Sequence, residues 1–173
     1  YDEPALHVDL KFVPLPNAVP VVDNPFVLWA RDGRLEAILR QRRGSYPLPD
    51  RQWLEDRFWI WIHYLAGKIA RGELFEAVEG LSFLRTTVLA PLGLANLGLA
   101  SSGVRRLEEK SPELAEALAV TLAEHNRDSI WNALESCIDL YRRFRLDSNC
   151  AIDTRPDAAE TAPSTIRKLR KQA

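Results

Sequence analysis

The hydrophobic period of this chain changes at Gly44-Ser45-Tyr46-Pro47-Leu48-Pro49, and that change limits what it can build. Upstream, Leu6, Val8, Leu10 and Phe12 alternate with His7, Asp9 and Lys11. A period of two gives a strand one apolar and one polar face. Pro14, Pro16 and Pro20 end the run. Phe26 to Ala30 is a second short apolar run, closed by the turn signal Asp32-Gly33. Arg34 to Arg43 then sets Leu35, Ile38 and Leu39 at helical spacing. Residues 1–44 therefore predict strand, proline-rich loop, strand, turn and short helix. Two strands alone are marginal, so they read as the edge of a larger sheet.

Downstream the period is helical to about residue 147. Asp50 reads as an N-cap, and Trp53, Leu54, Phe58, Trp61, Ile62, Leu65 and Ile69 form an apolar stripe ending at Gly72. Glu73 to Leu89 predicts a second helix, with Leu74, Ala77, Val78, Leu81, Leu84 and Val88 inward and Pro91 breaking or kinking it. Residues 93–110 read as a loop with a short helical turn. Ser111-Pro112-Glu113 reads as an N-cap with proline at the first helical position, opening a helix that carries Leu114, Ala117, Leu118 and Leu122. Asp128 reads as the cap of the last long helix, with Ile130, Trp131, Leu134, Ile138, Tyr141 and Phe144 on its apolar face. This pattern predicts an up-down bundle over 45–148. The stretch 149–173 reads as a solvated tail. A phosphate-contacting tail is the sharper reading of its cluster Arg167, Lys168, Arg170 and Lys171.

Charge and cysteines narrow the function. With 23 Lys+Arg against 24 Asp+Glu, the formal charge of −1 argues against a chain built to grip phosphate backbones, so a nucleic-acid partner is not expected. Cys137 and Cys150 have neither metal-like nor redox-motif spacing. Cys137 falls in an apolar register and reads as core, and a reducing cytoplasm fits. The run Thr87 to Ala100 is short and broken by Pro91, Gly93 and Gly98, so no membrane partner is expected. The chain opens at Tyr1-Asp2-Glu3-Pro4, without a signal-peptide pattern, and contains no methionine. Further upstream sequence is therefore expected.

Asp9 is the most informative position, because a carboxylate amid strand residues is disfavoured unless it serves something. The stretch Leu6-His7-Val8-Asp9-Leu10-Lys11-Phe12, the run ending Arg31-Asp32-Gly33, and Trp53-Leu54-Glu55-Asp56-Arg57-Phe58-Trp59 through Tyr64, Lys68 and Arg71-Gly72-Glu73-Leu74 are the residues that carry a likeness. Together they resemble the C-terminal part of a polymerase-beta-type nucleotidyltransferase, closest to the small-molecule members such as the aminoglycoside adenylyltransferases. The resemblance covers roughly residues 5–147. It implies an α+β fold, with the edge of a mixed sheet followed by a helical substrate-binding bundle. It also implies transfer of a nucleotidyl group from ATP to a hydroxyl of a small polar acceptor, using magnesium, with release of pyrophosphate.

In that family Asp9 matches a third catalytic, metal-binding carboxylate. The Gly-Ser turn and Asp-x-Asp pair that hold the metals have no counterpart in this sequence, so the chain alone is expected to be inactive. Tyr64, Lys68 and Arg71 share a helix face and could receive a triphosphate. Glu55, Asp56 and Glu76 could supply an acidic wall for a cationic acceptor. Trp59 and Trp61 point about 200° apart, so one of them, taken as Trp59, is expected to line a cleft or an interface, which suggests a homodimer. A non-catalytic helical binding or dimerisation module is the alternative. The Arg57/His63 spacing offers a helical ribonuclease as a third reading, and His125 reads as a cap or surface residue.

Overall fold

The computed structural model describes residues 7–146 and 151–172. Leu6, at the head of the first expected strand, and Asn149 and Cys150, at the head of the expected tail, lie outside the described residues. Among the described residues every regular element is helical, so the expected α+β fold is corrected to all-α. The physical reason lies in what a strand needs. Alternation gives residues 7–12 two faces, but a strand exists only through hydrogen bonds to a neighbour, and among the described residues no second strand lies alongside. Leu10 is 81% and Phe12 92% exposed, so neither is packed as a strand's inner face would be. Phe26 and Leu28, in the second expected strand, are similarly exposed.

Contacts divide the chain into two units, residues 1–46 and 47–173. In the first, Pro14 opens a 3-10 turn over Leu15–Asn17. Helix α1 spans Arg34–Leu39, and its first turn is held by Asp32 Oδ1, which accepts from the Arg34 backbone N–H at 3.0 Å. Asn24 ties the middle of this unit to its C-terminal end by accepting from the Gly44 N–H at 2.9 Å.

The second unit is the bundle: α2 Arg51–Ala70, α3 Leu74–Phe83, α4 Ala90–Asn96, α5 Leu107–Lys110, α6 Pro112–Ala119, α7 Arg127–Arg145 and α8 Pro156–Gln172. Asp50 caps α2 by accepting from the Trp53 N–H at 2.9 Å. Gly72 ends it at φ +79°, while the Gly72 and Glu73 N–H groups close onto the Ile69 and Lys68 carbonyls. That pairing is a Schellman ending, which needs the left-handed conformation glycine adopts without strain. Gly80 lets α3 close on α2, since a Cβ there would lie 2.2 Å from Leu65 Cδ2.

Pro91 does not break the second helix. A π turn, Leu84–Leu89, joins α3 to α4, and the Ala90 N–H donates to the Arg85 carbonyl. Widening the turn absorbs the donor that proline lacks and the crowding of its ring against the preceding turn. Ser111 caps α6 as its sequence suggests, but Asn126 rather than Asp128 caps α7, accepting from the Ser129 N–H at 2.8 Å. Leu122 is exposed beyond the end of α6 instead of facing inward.

The core gathers Phe58 and Ile62 of α2, Leu81, Leu84 and Leu92, and Ile130, Trp131, Leu134 and Tyr141 of α7. Each such side chain contributes roughly 1.5–3 kcal/mol by burial. Phe58 and Tyr141 stack at 3.7 Å between ring centroids. Where the sequence suggests a solvated tail, α8 lies on the bundle with Ala162 and Ile166 buried.

Candidate functional site

Helix α2 carries three polar or aromatic features, and the candidate residues fall on them. The first is buried. Glu55 is 0% exposed and accepts four hydrogen bonds: from Tyr141 Oη at 2.7 Å, Arg145 Nη1 at 2.7 Å, Trp59 Nε1 at 3.2 Å and the Arg155 backbone N–H at 3.0 Å. Burial pushes its carboxyl upward, but these donors outweigh burial and hold it below the usual carboxylate range. Burial, followed by the bond to Glu55, pushes the Tyr141 phenol up.

Neighbouring polar residues tie down the chain leading into α8. Asp56 Oδ1 accepts from Arg155 Nε at 2.9 Å and from Gln52 Nε2 at 3.0 Å, which lowers its pKa. The Gln52 amide also pairs with the backbone of Asp153, accepting from its N–H at 2.8 Å and donating to its carbonyl at 3.2 Å. Gln52, Glu55 and Asp56 thus capture 153–155. They do not form an acidic wall facing solvent.

The second feature lies at the α2–α3 corner. Lys68 Nζ meets Glu73 Oε2 at 2.5 Å and Glu76 Oε2 at 2.6 Å, over the Tyr64 ring at 5.1 Å. Arg71 Nε donates to Glu73 Oε1 at 2.6 Å. Arg71 and then Lys68 hold the Glu73 carboxyl down at about 2, and Glu73 and then Glu76 push the Lys68 ammonium up. The structure therefore does bring Tyr64, Lys68 and Arg71 together, but with two carboxylates that satisfy the cations.

The third feature is aromatic. Trp53 meets Trp61 at 5.5 Å, Trp61 meets Phe83 at 5.1 Å, and the Arg57 guanidinium lies 4.5 Å over the Trp53 ring. Beside Trp53 opens a cleft of about 650 Å³, bounded by Pro47–Pro49, Thr86 and Thr87 of the π turn, and the 101–105 loop. Nothing in the sequence singles out this cleft, because its walls are 50 residues apart along the chain.

The remaining candidates are dispersed. Asp9 is exposed, with His7 Nε2 at 2.9 Å from its Oδ1. Magnesium takes several oxygen ligands in near-octahedral array, and among the described residues no three His, Cys, Asp or Glu side chains converge. Asp9 with the described residues does not fit a magnesium site. Trp59 is buried under α7 and α8, its edge lining a small hollow with Ile60 and Ala158, while Trp61 is half-buried against Phe83. The two indoles leave opposite sides of α2 and still reach one core, because α8 covers the Trp59 side while Trp61 packs against Phe83. His63 lines a small hollow with Ile60 and Ala158, away from Arg57 on Trp53. His125 stacks on Phe75 at 4.3 Å, and Cys137 is buried, which pushes its thiol up to about 12. No described helix is long and apolar enough to cross a membrane. No family model, curated protein or solved structure matches the chain.

Proposed function

We propose that this chain serves nucleotidyl transfer from a nucleoside triphosphate, ATP, to a hydroxyl of a small polar acceptor, as the helical part of that activity together with one carboxylate. The accessibility of Asp9 carries the reading. Its side chain is 87% exposed, against 0% for Glu55 and 34% for Asp56, so of these three it is the one open to a ligand. The likeness of residues 6–12 and 53–74 to the nucleotidyltransferases supports the same reading.

The test is an ATP titration of the full-length protein with and without magnesium, repeated on Asp9→Asn. Magnesium-dependent binding that the substitution weakens about tenfold supports the reading, that being the scale of losing one charged contact. ATP binding unchanged by Asp9→Asn, or absent with magnesium present, refutes it.

A second reading, a non-catalytic helical binding or dimerisation module, draws on a different observation. The ionic groups that would meet a triphosphate, Lys68 and Arg71, are already paired within the bundle. Failure of the titration selects this reading.

A further inference from the structure

The cleft beside Trp53 is lined by groups whose hydrogen-bonding roles are set by their neighbours. Thr86 Oγ1 donates to the Ser82 carbonyl at 2.9 Å, and Ser101 Oγ donates to the Pro91 carbonyl at 3.3 Å. Each hydroxyl has given its proton and presents lone pairs. Ser102 Oγ accepts from the Lys110 ammonium and keeps its own proton to give. The wall therefore offers both acceptors and a donor. A phosphate brings acceptors only and an ammonium donors only, whereas a ring hydroxyl brings both.

The cleft's electrostatics point the same way. Its two charged lining residues, Asp50 and Arg105, are of opposite sign. The carboxylates that a polycation would need, Glu55 and Asp56, are engaged elsewhere. Trp53 supplies the apolar part: it is 41% exposed, braced by Trp61 and Arg57, and lines the cleft. An indole held in place offers a flat surface to an apolar ring face. A volume of about 650 Å³ is that of a small-molecule site.

We propose that this cleft binds an uncharged polyhydroxylated ring, a sugar or cyclitol, with its apolar face on Trp53 and its hydroxyls on Thr86, Ser101 and Ser102. As an acceptor site this rests on the transfer activity proposed above; as a binding site it stands without it.

Saturation-transfer NMR on the chain, with no nucleotide or magnesium, tests it using four probes: myo-inositol, maltose, glucose 6-phosphate and kanamycin. The neutral rings receive saturation and bind more tightly than the two charged probes. Trp53→Ala weakens them about tenfold, and Ser102→Ala and Thr86→Val, which preserve shape, weaken them about threefold each. Arg143→Gln, on the exposed side of α7, leaves binding unchanged. The proposal is overturned if neither neutral ring receives saturation, if kanamycin binds more tightly than both, or if Ser102→Ala and Thr86→Val both leave binding as it was. An ATP titration that fails leaves these outcomes intact, so the two proposals fall separately.

Discussion

Helix α2 carries two ionic clusters that differ in one respect, access to water. Near its N-terminus Glu55 is sealed beneath α7 and the 153–155 segment, and four donors converge on it. At its C-terminus Lys68 bridges Glu73 and Glu76 at the protein surface. The difference lies in the carboxylates: Glu55 is fully shielded, whereas Glu73 is 34% and Glu76 58% exposed, so water competes for the acceptors of the second cluster and not for that of the first. The buried cluster therefore fixes where two distant segments sit, because breaking it strands uncompensated groups. The surface cluster decorates a corner that the Schellman ending at Gly72 has already shaped.

The largest expected effect follows from that contrast. Glu55→Ala leaves Tyr141, Trp59 and Arg145 without their acceptor and should cost about 3–5 kcal/mol, read as a lowered denaturation midpoint. Glu55→Gln keeps the shape but offers one acceptor oxygen and should fall between it and the wild type. A loss for Glu55→Ala no greater than for Lys68→Met would abolish the comparison.

The next effect is local. Arg155→Ala removes the Asp56 pair while keeping the backbone bond to Glu55. Hydrogen exchange should accelerate through α8 more than through α7, because α8 buries little beyond Ala162 and Ile166. Equal acceleration in both helices would mean that α8 and α7 open as one unit.

The smallest effect is on the surface cluster, read by pH and salt. Glu73 has an ordinary value of 4.5 and is held at about 2 in the folded chain. A lowered folded pKa lends stability that is full above the ordinary value and fades as pH falls through the folded one. The Glu73 contribution should therefore disappear between pH 4.5 and about 2. Lys68 is shifted the other way, and what it lends is lost only on strong alkalinisation. Raising salt to about 1 M should weaken this cluster more than the Glu55 cluster, since ions screen buried charges much less than accessible ones. Carboxyl NMR titration of Glu73 at low and high salt checks both points.

Much of the bundle was legible in local sequence. The caps at Asp50 and Ser111, the stop at Gly72 and the buried face of α7 follow from residue type and spacing. Other features misled for identifiable reasons. Pro91 reads as a break because a sequence shows the missing N–H but not the wider turn that absorbs it. Residues 149–173 read as a tail because small apolar residues such as Ala158 and Ala162 give a weak stripe. The alternation at Leu6–Phe12 reads as a strand because a period shows faces, not partners. Glu55, Asp56, Lys68 and Arg71 were picked out by charge, but what each charge does depends on neighbours from other segments. The cleft at Trp53 has no sequence signature because its lining residues are scattered along the chain.

The sequence by itself determined where α2 starts and stops, where α6 starts and which face of α7 is apolar, since capping and periodicity act over a few residues. Tertiary structure alone decided that Glu55 is buried, that Lys68 is already paired, that α8 covers Trp59, and that Thr86, Ser101 and Ser102 line one cleft with Trp53. Those outcomes depend on contacts between segments tens of residues apart, and there desolvation and hydrogen bonding set what a side chain can do.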